Sequence, residues 1–216
     1  MPSSHHYQLN EIIDLIIRTN PMKILDIGVG FGKYGFLSRE YLELWNGNES
    51  YNNWQRQIDG IEAFEEYITP AHRYIYNRIF IGDALQVLPG IQGKYDLILL
   101  IDVLEHFSFE DGARILEECR RISANILISV PKVVSPQDEV FGNPYEVHKY
   151  PWSKKELTIS RSAFFVYNPR SLICFDGSES KRLKKEIRKT RTRQTIIRIL
   201  DGLHIKKILK KIPGIK

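Results

Sequence analysis

The chain has 216 residues, of which 43% are hydrophobic and 26% are charged, which is typical of one globular domain with room for an appendage. Its longest apolar runs, such as Leu97–Ile101, are far shorter than the roughly 20 residues that span a bilayer, and no apolar segment of signal-peptide type follows Met1. Cys119 and Cys174 are isolated, which excludes a disulfide scaffold and a cysteine-rich zinc motif. These features predict a protein of the reducing cytoplasm.

The net charge of +5 is made of two unlike parts. Residues 181–216 contain 14 lysines and arginines against Glu186 and Asp201, a formal charge of +12, so that residues 1–180 carry −7. An acidic body argues against a nucleic-acid surface spread over the whole molecule. We therefore predict a globular domain over 1–180 and a basic helical tail over 181–216.

Hydrophobic periodicity predicts helices that alternate with short strands along residues 1–180. Five short apolar runs are predicted to be strands: Lys23–Ile27, Ile58–Ala63, Arg78–Ile81, Tyr95–Ile101 and Asn125–Val130. Helices are expected over Leu9–Thr19, 33–44, Glu110–Ile122 and, after a capping box of Ser153 with Glu156, over Ser153–Ile159. The Asn-rich segment 45–56 is predicted to be a loop.

This alternation implies βαβ units, an α/β fold and a largely parallel sheet. The last two apolar runs, Ala163–Tyr167 and Leu172–Phe175, are separated only by a short segment with Asn168-Pro169. That segment is too short for a helical crossover, so the two runs are expected to form an antiparallel hairpin.

The sharpest motif is the glycine-rich string that begins at Asp26 and contains Gly28, Gly30 and Gly32. It follows a strand and opens a helix, where glycines allow the backbone to approach a ligand and the helix offers unpaired N–H donors. Read from Gly30, the string fits the dinucleotide pattern GxGxxG; read from Asp26, it fits the (D/E)xGxGxG pattern of S-adenosylmethionine loops. A tight turn that binds nothing is the third alternative.

Acidic residues stand at the ends of three further strands. They are Glu62, Asp83 and Asp102, and open α/β sheets bind their ligands at this edge. Glu62 can accept both ribose hydroxyls of an adenosyl ligand, and Asp83 can accept from the exocyclic amine of adenine. Each acid alone is as well explained as a helix N-cap or a solvated turn, but their register with a glycine loop favours an adenosyl ligand.

The strings ILDIGVGFG, GDA, YDLILLIDVLEHF and NILISVP, together with Glu62, resemble those of the class I S-adenosylmethionine-dependent methyltransferases over about residues 20–176. This resemblance implies a Rossmann-like, seven-stranded, mostly parallel sheet with an antiparallel last strand and helices on both faces. The 36-residue step from Asp26 to Glu62 is longer than the ~20 residues usual for a dinucleotide site, which weakens the nicotinamide alternative.

The same resemblance implies S-adenosylmethionine as the cofactor and gives each matched residue a place around it. Asp102 joins this cofactor-binding set at the end of the fourth strand. The remaining members are Gly28, Gly30 and Gly32 at the methionyl and ribose part, Asp26 at the ammonium group, Glu62 at the ribose, and Asp83, Ala84 and Leu85 around the adenine.

Candidates for a catalytic base are Glu105, His106 and His148, because an imidazole can act as acid or base near neutral pH. The alternative for His106 is structural packing beneath the glycine loop. The stretch 143–152, which contains His148, resembles uncharacterised methyltransferases associated with cell-surface sugar or lipid pathways. The expected acceptor is therefore a small molecule or a cell-surface glycan or lipid, methylated at oxygen.

Two other functions stay open. Asp102, Glu105, His106 and His148 resemble the Glu-x-x-Glu-His…His set of metal-dependent 2′-O-methyltransferases that act on small-RNA ends, with Asp in place of the first Glu. These four residues are the candidate ligands of a divalent metal, although a metal is not the favoured expectation. A non-catalytic adenosyl-binding module that acts through the basic tail is the alternative outside the enzymes.

In the tail, Ile196 and Ile199 begin an apolar stripe at helical spacing that continues to residue 212 among lysines. Three uses compete: lying on an anionic membrane surface, packing on its own domain or in a homodimer, and binding nucleic-acid phosphates. The tail has no aromatic residue to stack on bases, so nucleic acid is the least favoured partner. The expected location is cytoplasmic, with peripheral attachment to the membrane as an extension of that prediction.

Overall fold

A computed structural model describes residues 4–45 and 53–202 and divides the chain into two units, Met1–Ser180 and Lys181–Lys216. The first unit has seven strands: β1 Lys23–Ile27, β2 Gln57–Glu62, β3 Arg78–Ile81, β4 Leu97–Ile101, β5 Asn125–Pro131, β6 Phe164–Val166 and β7 Ser171–Gly177. They form one sheet with the strand order β3-β2-β1-β4-β5-β7-β6.

Strands β1 to β5 pair in parallel, whereas β7 runs antiparallel to both of its neighbours, β5 and β6. The predicted α/β fold, its mostly parallel sheet and the closing hairpin are therefore confirmed. The central strand β4 is buried along its whole length, as its unbroken apolar sequence predicts for a strand covered on both faces.

The first unit has the helices α1 Leu9–Thr19, α2 Lys33–Arg39, α3 Pro70–Ile75, α4 Ala84–Val87 and α5 Phe109–Ile122. They pack in two groups: α2 contacts α1 and α3, and α4 contacts α5. The amphipathic face of α1 is buried at Ile12 and Ile16, as its periodicity predicts. Helix α2 continues as a π-helical turn over Glu40–Leu44, so the helix predicted over 33–44 is present in two forms.

The helix predicted over Ser153–Ile159 is wrong beyond its first turn. The capping box exists, because the Ser153 N–H donates to Glu156 Oε2 at 2.7 Å and the Glu156 N–H donates to Ser153 Oγ at 3.3 Å. Only a turn over residues 154–157 follows it. A capping box favours the start of a helix, but a short helix needs tertiary packing to propagate.

The second unit contains the helix α6, Ser180–Gly202, which runs through the charged segment 181–195 as well as the start of the apolar stripe. Ile196 and Ile199 are exposed on it. The rest of the stripe, 203–212, and most of the predicted loop, 46–52, lie outside the described residues. Within the described part of the chain, no helix is both long and apolar enough to cross a membrane.

Candidate functional site

A cavity of about 600 Å³ opens at the carboxyl edge of the sheet in the first unit, where β1 to β4 end. It brings together residues that the sequence places more than 100 positions apart. Ten predicted site residues line it: Gly28, Gly30, Glu62, Asp83, Ala84, Leu85, Asp102, Glu105, His106 and His148. Asp26 and Gly32 are not among the lining residues.

The glycine loop after β1 adopts backbone conformations that favour glycine. Gly28, Gly30 and Gly32 have φ angles of 72°, 50° and 82°. A Cβ atom on Gly28 would lie 2.7 Å from Cγ2 of Val103, so the position has no room for a side chain. The Gly28 N–H donates to the carbonyl of Ile61 at 2.9 Å, which fastens the loop to the end of β2. The sequence pattern thus reflects both backbone conformation and close packing.

Glu62 ends β2 and connects that strand to the glycine loop. Its Oε2 accepts the Gly30 N–H at 2.9 Å, and its Oε1 accepts the Phe64 N–H at 2.9 Å. Burial raises the pKa of Glu62 above its usual value, and the two N–H donors oppose that rise. Each oxygen retains one lone pair for a hydroxyl in the cavity.

Asp83 follows β3 and is the N-cap of α4, where its Oδ1 accepts the Leu85 N–H at 2.9 Å. Asp83 is therefore a helix N-cap, as one of the two interpretations of this acid predicted. It also lines the cavity, together with Ala84 and Leu85. A cap fixes the direction of the carboxylate and leaves its second oxygen for another donor.

Asp26 is a buried residue of β1 that is not among the residues that line the cavity. It is 2% exposed, and its Oδ2 accepts the phenolic O–H of Tyr76 at 2.6 Å. Burial raises the pKa of Asp26 to about 7, and the hydrogen bond from Tyr76 offsets only part of this effect. The sequence resemblance implies that Asp26 helps to hold the ammonium group of the cofactor directly or through water, and this role stays a prediction.

Asp102 follows β4 with a φ of 54°, which is unusual for a residue with a side chain. Its carboxylate accepts hydrogen bonds from Gln8 Nε2 at 2.5 Å and from Ser129 Oγ at 3.2 Å. Burial raises the pKa of Asp102, while these donors and the charge of Lys33 lower it. The first helical turn of the chain is thereby attached to the edge of the cavity.

Glu105 also lines the cavity and is 2% exposed. Its Oε2 is buried and has no hydrogen-bond partner among the described residues. Burial, reinforced by the charge of Asp102, raises the pKa of Glu105 well above its usual value. The backbone carbonyl of Glu105 accepts the N–H groups of Lys149 at 2.8 Å and Tyr150 at 3.2 Å, which brings the His148 segment alongside.

His106 and His148 face each other, with their ring centroids 5.0 Å apart. His106 Nδ1 lies 3.2 Å from the carbonyl oxygen of Val147, and His148 Nδ1 lies 2.7 Å from that of Ser135. Because a carbonyl oxygen can only accept, both Nδ1 atoms carry the proton and both Nε2 lone pairs are free in the neutral rings. Burial lowers the pKa of His106, which favours its neutral form.

The donor atoms of Glu105, His106 and His148 all lie within 4.8 Å of one another. Asp102, the fourth predicted metal ligand, does not join this group because Gln8 and Ser129 hold its carboxylate. The three residues suit a divalent cation, and the carbonyl bonds at Nδ1 orient each imidazole as the outer shell of a metal site does.

Sequence reasoning did not identify three residues that support this cavity. Gln8 donates a hydrogen bond to Asp102, and Tyr76 donates one to Asp26. The third residue is His72, whose Nε2 lies 2.8 Å from the carbonyl oxygen of Gly30. A buried polar residue at the start of an apolar helix was the available signal for Gln8. No local signal exists for the other two, because their partners lie more than 40 residues away in the chain.

No family model and no curated protein matches the sequence. Solved structures do match. An S-adenosylmethionine-dependent methyltransferase from Archaeoglobus fulgidus is 15% identical with a TM-score of 0.55, over 81% of this chain and 100% of that one. The N-terminal domain of EvdMO1, solved in the presence of SAH and D-fucose, is 14% identical with a TM-score of 0.55, over 82% and 84% of the chains.

An O-methyltransferase family protein from Burkholderia thailandensis is 13% identical with a TM-score of 0.54. The match covers 78% of this chain and 55% of that protein, so this chain spans little more than half its length. At these identities the likeness is one of fold. It confirms the Rossmann-like fold of methyltransferases that the sequence motifs implied.

Proposed function

We propose that this chain binds S-adenosylmethionine and transfers its methyl group. The observation that carries the proposal is the cavity itself, in which a loop of positive-φ glycines meets the carboxylates of Glu62 and Asp83 at the ends of adjacent parallel strands. A carboxylate at the end of the second strand suits the ribose hydroxyls, and its two backbone donors fix its direction. The fold shared with solved methyltransferases agrees with this ligand.

Calorimetric titration with S-adenosylmethionine, S-adenosylhomocysteine and NADH tests the proposed cofactor. We expect both adenosyl ligands to bind and NADH to bind more weakly. In the Glu62→Gln variant, which loses the negative charge facing the ribose, affinity for S-adenosylhomocysteine should fall by about 1.5–3 kcal/mol, the range of a charge-assisted hydrogen bond. Tighter binding of NADH than of either adenosyl ligand would refute the proposal.

We further propose that the methyl acceptor is a hydroxyl oxygen of a small molecule or of a cell-surface glycan or lipid. An acceptor oxygen would attack the methyl carbon, the carbon–sulfur bond would break, and an imidazole Nε2 would take the hydroxyl proton. His148 and His106 suit this step because both have a free Nε2 beside the cavity. D-fucose, present with one structural relative, supports a sugar acceptor.

Transfer of a radiolabelled methyl group to monosaccharides, phosphosugars and lipid extracts tests the acceptor class. A methyl ester is released by alkaline hydrolysis, and a label that survives it is assigned to a methyl ether when the product is identified by mass spectrometry as an O-methylated acceptor. The His148→Gln variant is expected to lose turnover about 10²–10⁴-fold, the usual contribution of general acid–base catalysis, with unchanged affinity for S-adenosylhomocysteine. Alkali-labile product would contradict transfer to a hydroxyl.

A metal-assisted reaction, as in RNA 2′-O-methylation, is the second candidate, and the convergence of Glu105, His106 and His148 favours it. These residues fit a divalent cation, since Glu105 Oε2 is buried without a partner and both imidazoles have a free Nε2. A bound cation would lower the pKa of an acceptor hydroxyl.

Titration of the chelator-treated protein with Mn²⁺ and Zn²⁺ separates the two candidates. If the reaction is metal-assisted, we expect one cation-binding site per chain. The His148→Gln variant should lose this site, whereas the His6→Gln control, in which an exposed side chain is replaced, should keep it. Absence of Mn²⁺ and Zn²⁺ binding would reject the metal-assisted reaction and leave His106 and His148 as candidate general bases.

A further inference from the structure

His72 is a buried residue of α3 that contacts the glycine loop at Gly30 and Gly32. It is 2% exposed and is not among the residues that line the cavity. Its Nδ1 lies 3.2 Å from the backbone nitrogen of Thr69, which can only donate, so Nδ1 is the acceptor. The proton of the neutral ring is therefore on Nε2, and Nε2–H donates to the carbonyl of Gly30 at 2.8 Å.

Gly30 is thus held on both sides of its Cα. Its N–H donates to Glu62, and its carbonyl accepts from His72. Its φ of 50° lies in the left-handed region, which glycine adopts without strain, so these two hydrogen bonds and not a steric restriction fix the orientation of its peptides. The same imidazole lies against Gly32, where an added Cβ would be 3.2 Å from His72 Cδ2. The ring therefore supports two of the three loop glycines.

We propose that His72 is a positioning residue for the cofactor: by holding the Gly30 carbonyl it fixes the peptide that follows, whose Phe31 N–H points the opposite way in a trans peptide, toward the cavity that Phe31 lines. This inference rests on the proposed binding of S-adenosylmethionine. Without the Nε2–H donor, the peptide after Gly30 is free to rotate and to present its carbonyl oxygen to the ligand. That oxygen would repel the carboxylate of the cofactor, which can only accept hydrogen bonds.

Two substitutions test the hydrogen bonds of the two His72 nitrogens separately. His72→Asn keeps an acceptor near the Nδ1 position, which preserves the bond with Thr69 but cannot reach Gly30. His72→Gln extends an amide donor near the Nε2 position, which preserves the bond to Gly30 but removes the acceptor of the Thr69 N–H, one half of the capping box of α3. Affinity for S-adenosylhomocysteine is measured by calorimetry and stability by thermal unfolding for the wild type and both variants.

We expect His72→Asn to bind S-adenosylhomocysteine about tenfold more weakly than the wild type, the effect of about one buried hydrogen bond, and His72→Gln to remain within about threefold. The melting temperatures should rank the other way, because His72→Gln loses two contacts at the Nδ1 position, with the backbone nitrogen of Thr69 and with Thr69 Oγ1 at 2.9 Å, whereas His72→Asn loses only the bond to Gly30. A residue that only supports the fold would make affinity follow stability.

Two outcomes overturn the inference alone: wild-type affinity in His72→Asn, or affinities that rank as the melting temperatures do. A wild-type protein that binds neither S-adenosylmethionine nor S-adenosylhomocysteine would refute the proposed function and the role of His72 with it. The two failures are therefore distinguishable from the wild-type titration.

Discussion

Gly28 illustrates how one missing side chain shapes the cavity. In Gly28→Ala, the methyl group would meet Val103 Cγ2 at 2.7 Å while the residue holds a φ of 72°. We expect a loss of about 1–3 kcal/mol in the free energy of unfolding, the range for a strained backbone, together with weaker binding of S-adenosylhomocysteine. Urea unfolding and calorimetry measure both effects.

Gly90 provides the matched control, because a Cβ added there meets no atom within 4 Å. Gly90→Ala is expected to leave both the unfolding midpoint and the ligand affinity unchanged. Equal effects at the two positions would contradict a special role for Gly28.

Asp26 makes stability depend on pH, because its pKa is about 7 in the folded chain against 3.8 as its ordinary value. Between these two values the unfolded chain has lost the proton while the folded chain retains it. The free energy of unfolding therefore falls as pH rises from about 4 to about 7, and this contribution stays constant above pH 7. At 1.36 kcal/mol per pKa unit, the full effect is about 4 kcal/mol.

Asp26→Asn removes this titration while preserving the size of the side chain. Relative to the wild type, the variant should gain stability progressively between pH 4 and pH 7 in urea unfolding curves. A stability difference that is independent of pH over this interval would show that Asp26 is ionised throughout.

Helices and strands were predicted correctly from the sequence where local apolar patterns determine them, and were missed where contacts with residues distant in the chain determine them. The strand β4 and the helix α1 were predictable because their apolar patterns are local and they bury the faces those patterns indicate. The six-residue helix α3 has no such pattern, and its buried faces at His72 and Ile75 depend on the distant glycine loop.

The candidate site divides in the same way. Glycines and acids at strand ends were predictable because the carboxyl edge of a parallel sheet collects them. The positions of Asp26 and Asp102 were not, since each depends on a hydrogen-bond donor, Tyr76 or Gln8, far away in the chain. The approach of His148 to Glu105 required the backbone bonds of Lys149, which no pattern encodes.

The short helical turn His6–Gln8 is expected to depend on one side chain. Gln8 is fully buried and donates to Asp102, and its Oε1 accepts from Ser129 Oγ. Gln8→Leu leaves the buried Asp102 Oδ2 without its donor, whereas Ser129 Oγ can still donate to Asp102 Oδ1, so the free energy of unfolding should fall by about 1–3 kcal/mol. Urea unfolding measures the loss, and Gln86→Leu on the exposed face of α4 is the matched control. A loss no greater than that of the control would contradict this assignment.

At the scale of the whole molecule, charge and binding site are separated along the chain. All residues that line the cavity lie between Ser4 and Ser171, in the part of the sequence that carries −7. The charge of +12 belongs to residues 181–216, and its described portion is the helix α6 with exposed lysines. We therefore propose that α6 serves an anionic surface, such as the headgroups of a membrane, and not the methyl donor.

Replacing Lys184, Lys185 and Lys189 by Glu tests whether the charge of α6 binds an anionic surface without affecting the cofactor site. Each basic residue near an anionic membrane contributes about 1 kcal/mol, so the triple variant should bind vesicles rich in phosphatidylserine at least about 100-fold more weakly than the wild type. Its affinity for S-adenosylhomocysteine should be unchanged, because none of the three lysines lines the cavity. Neutral phosphatidylcholine vesicles and a salt series provide the controls, since binding by charge weakens as salt rises. Undiminished vesicle binding by the triple variant would mean that apolar contacts, not charge, hold the tail to the surface.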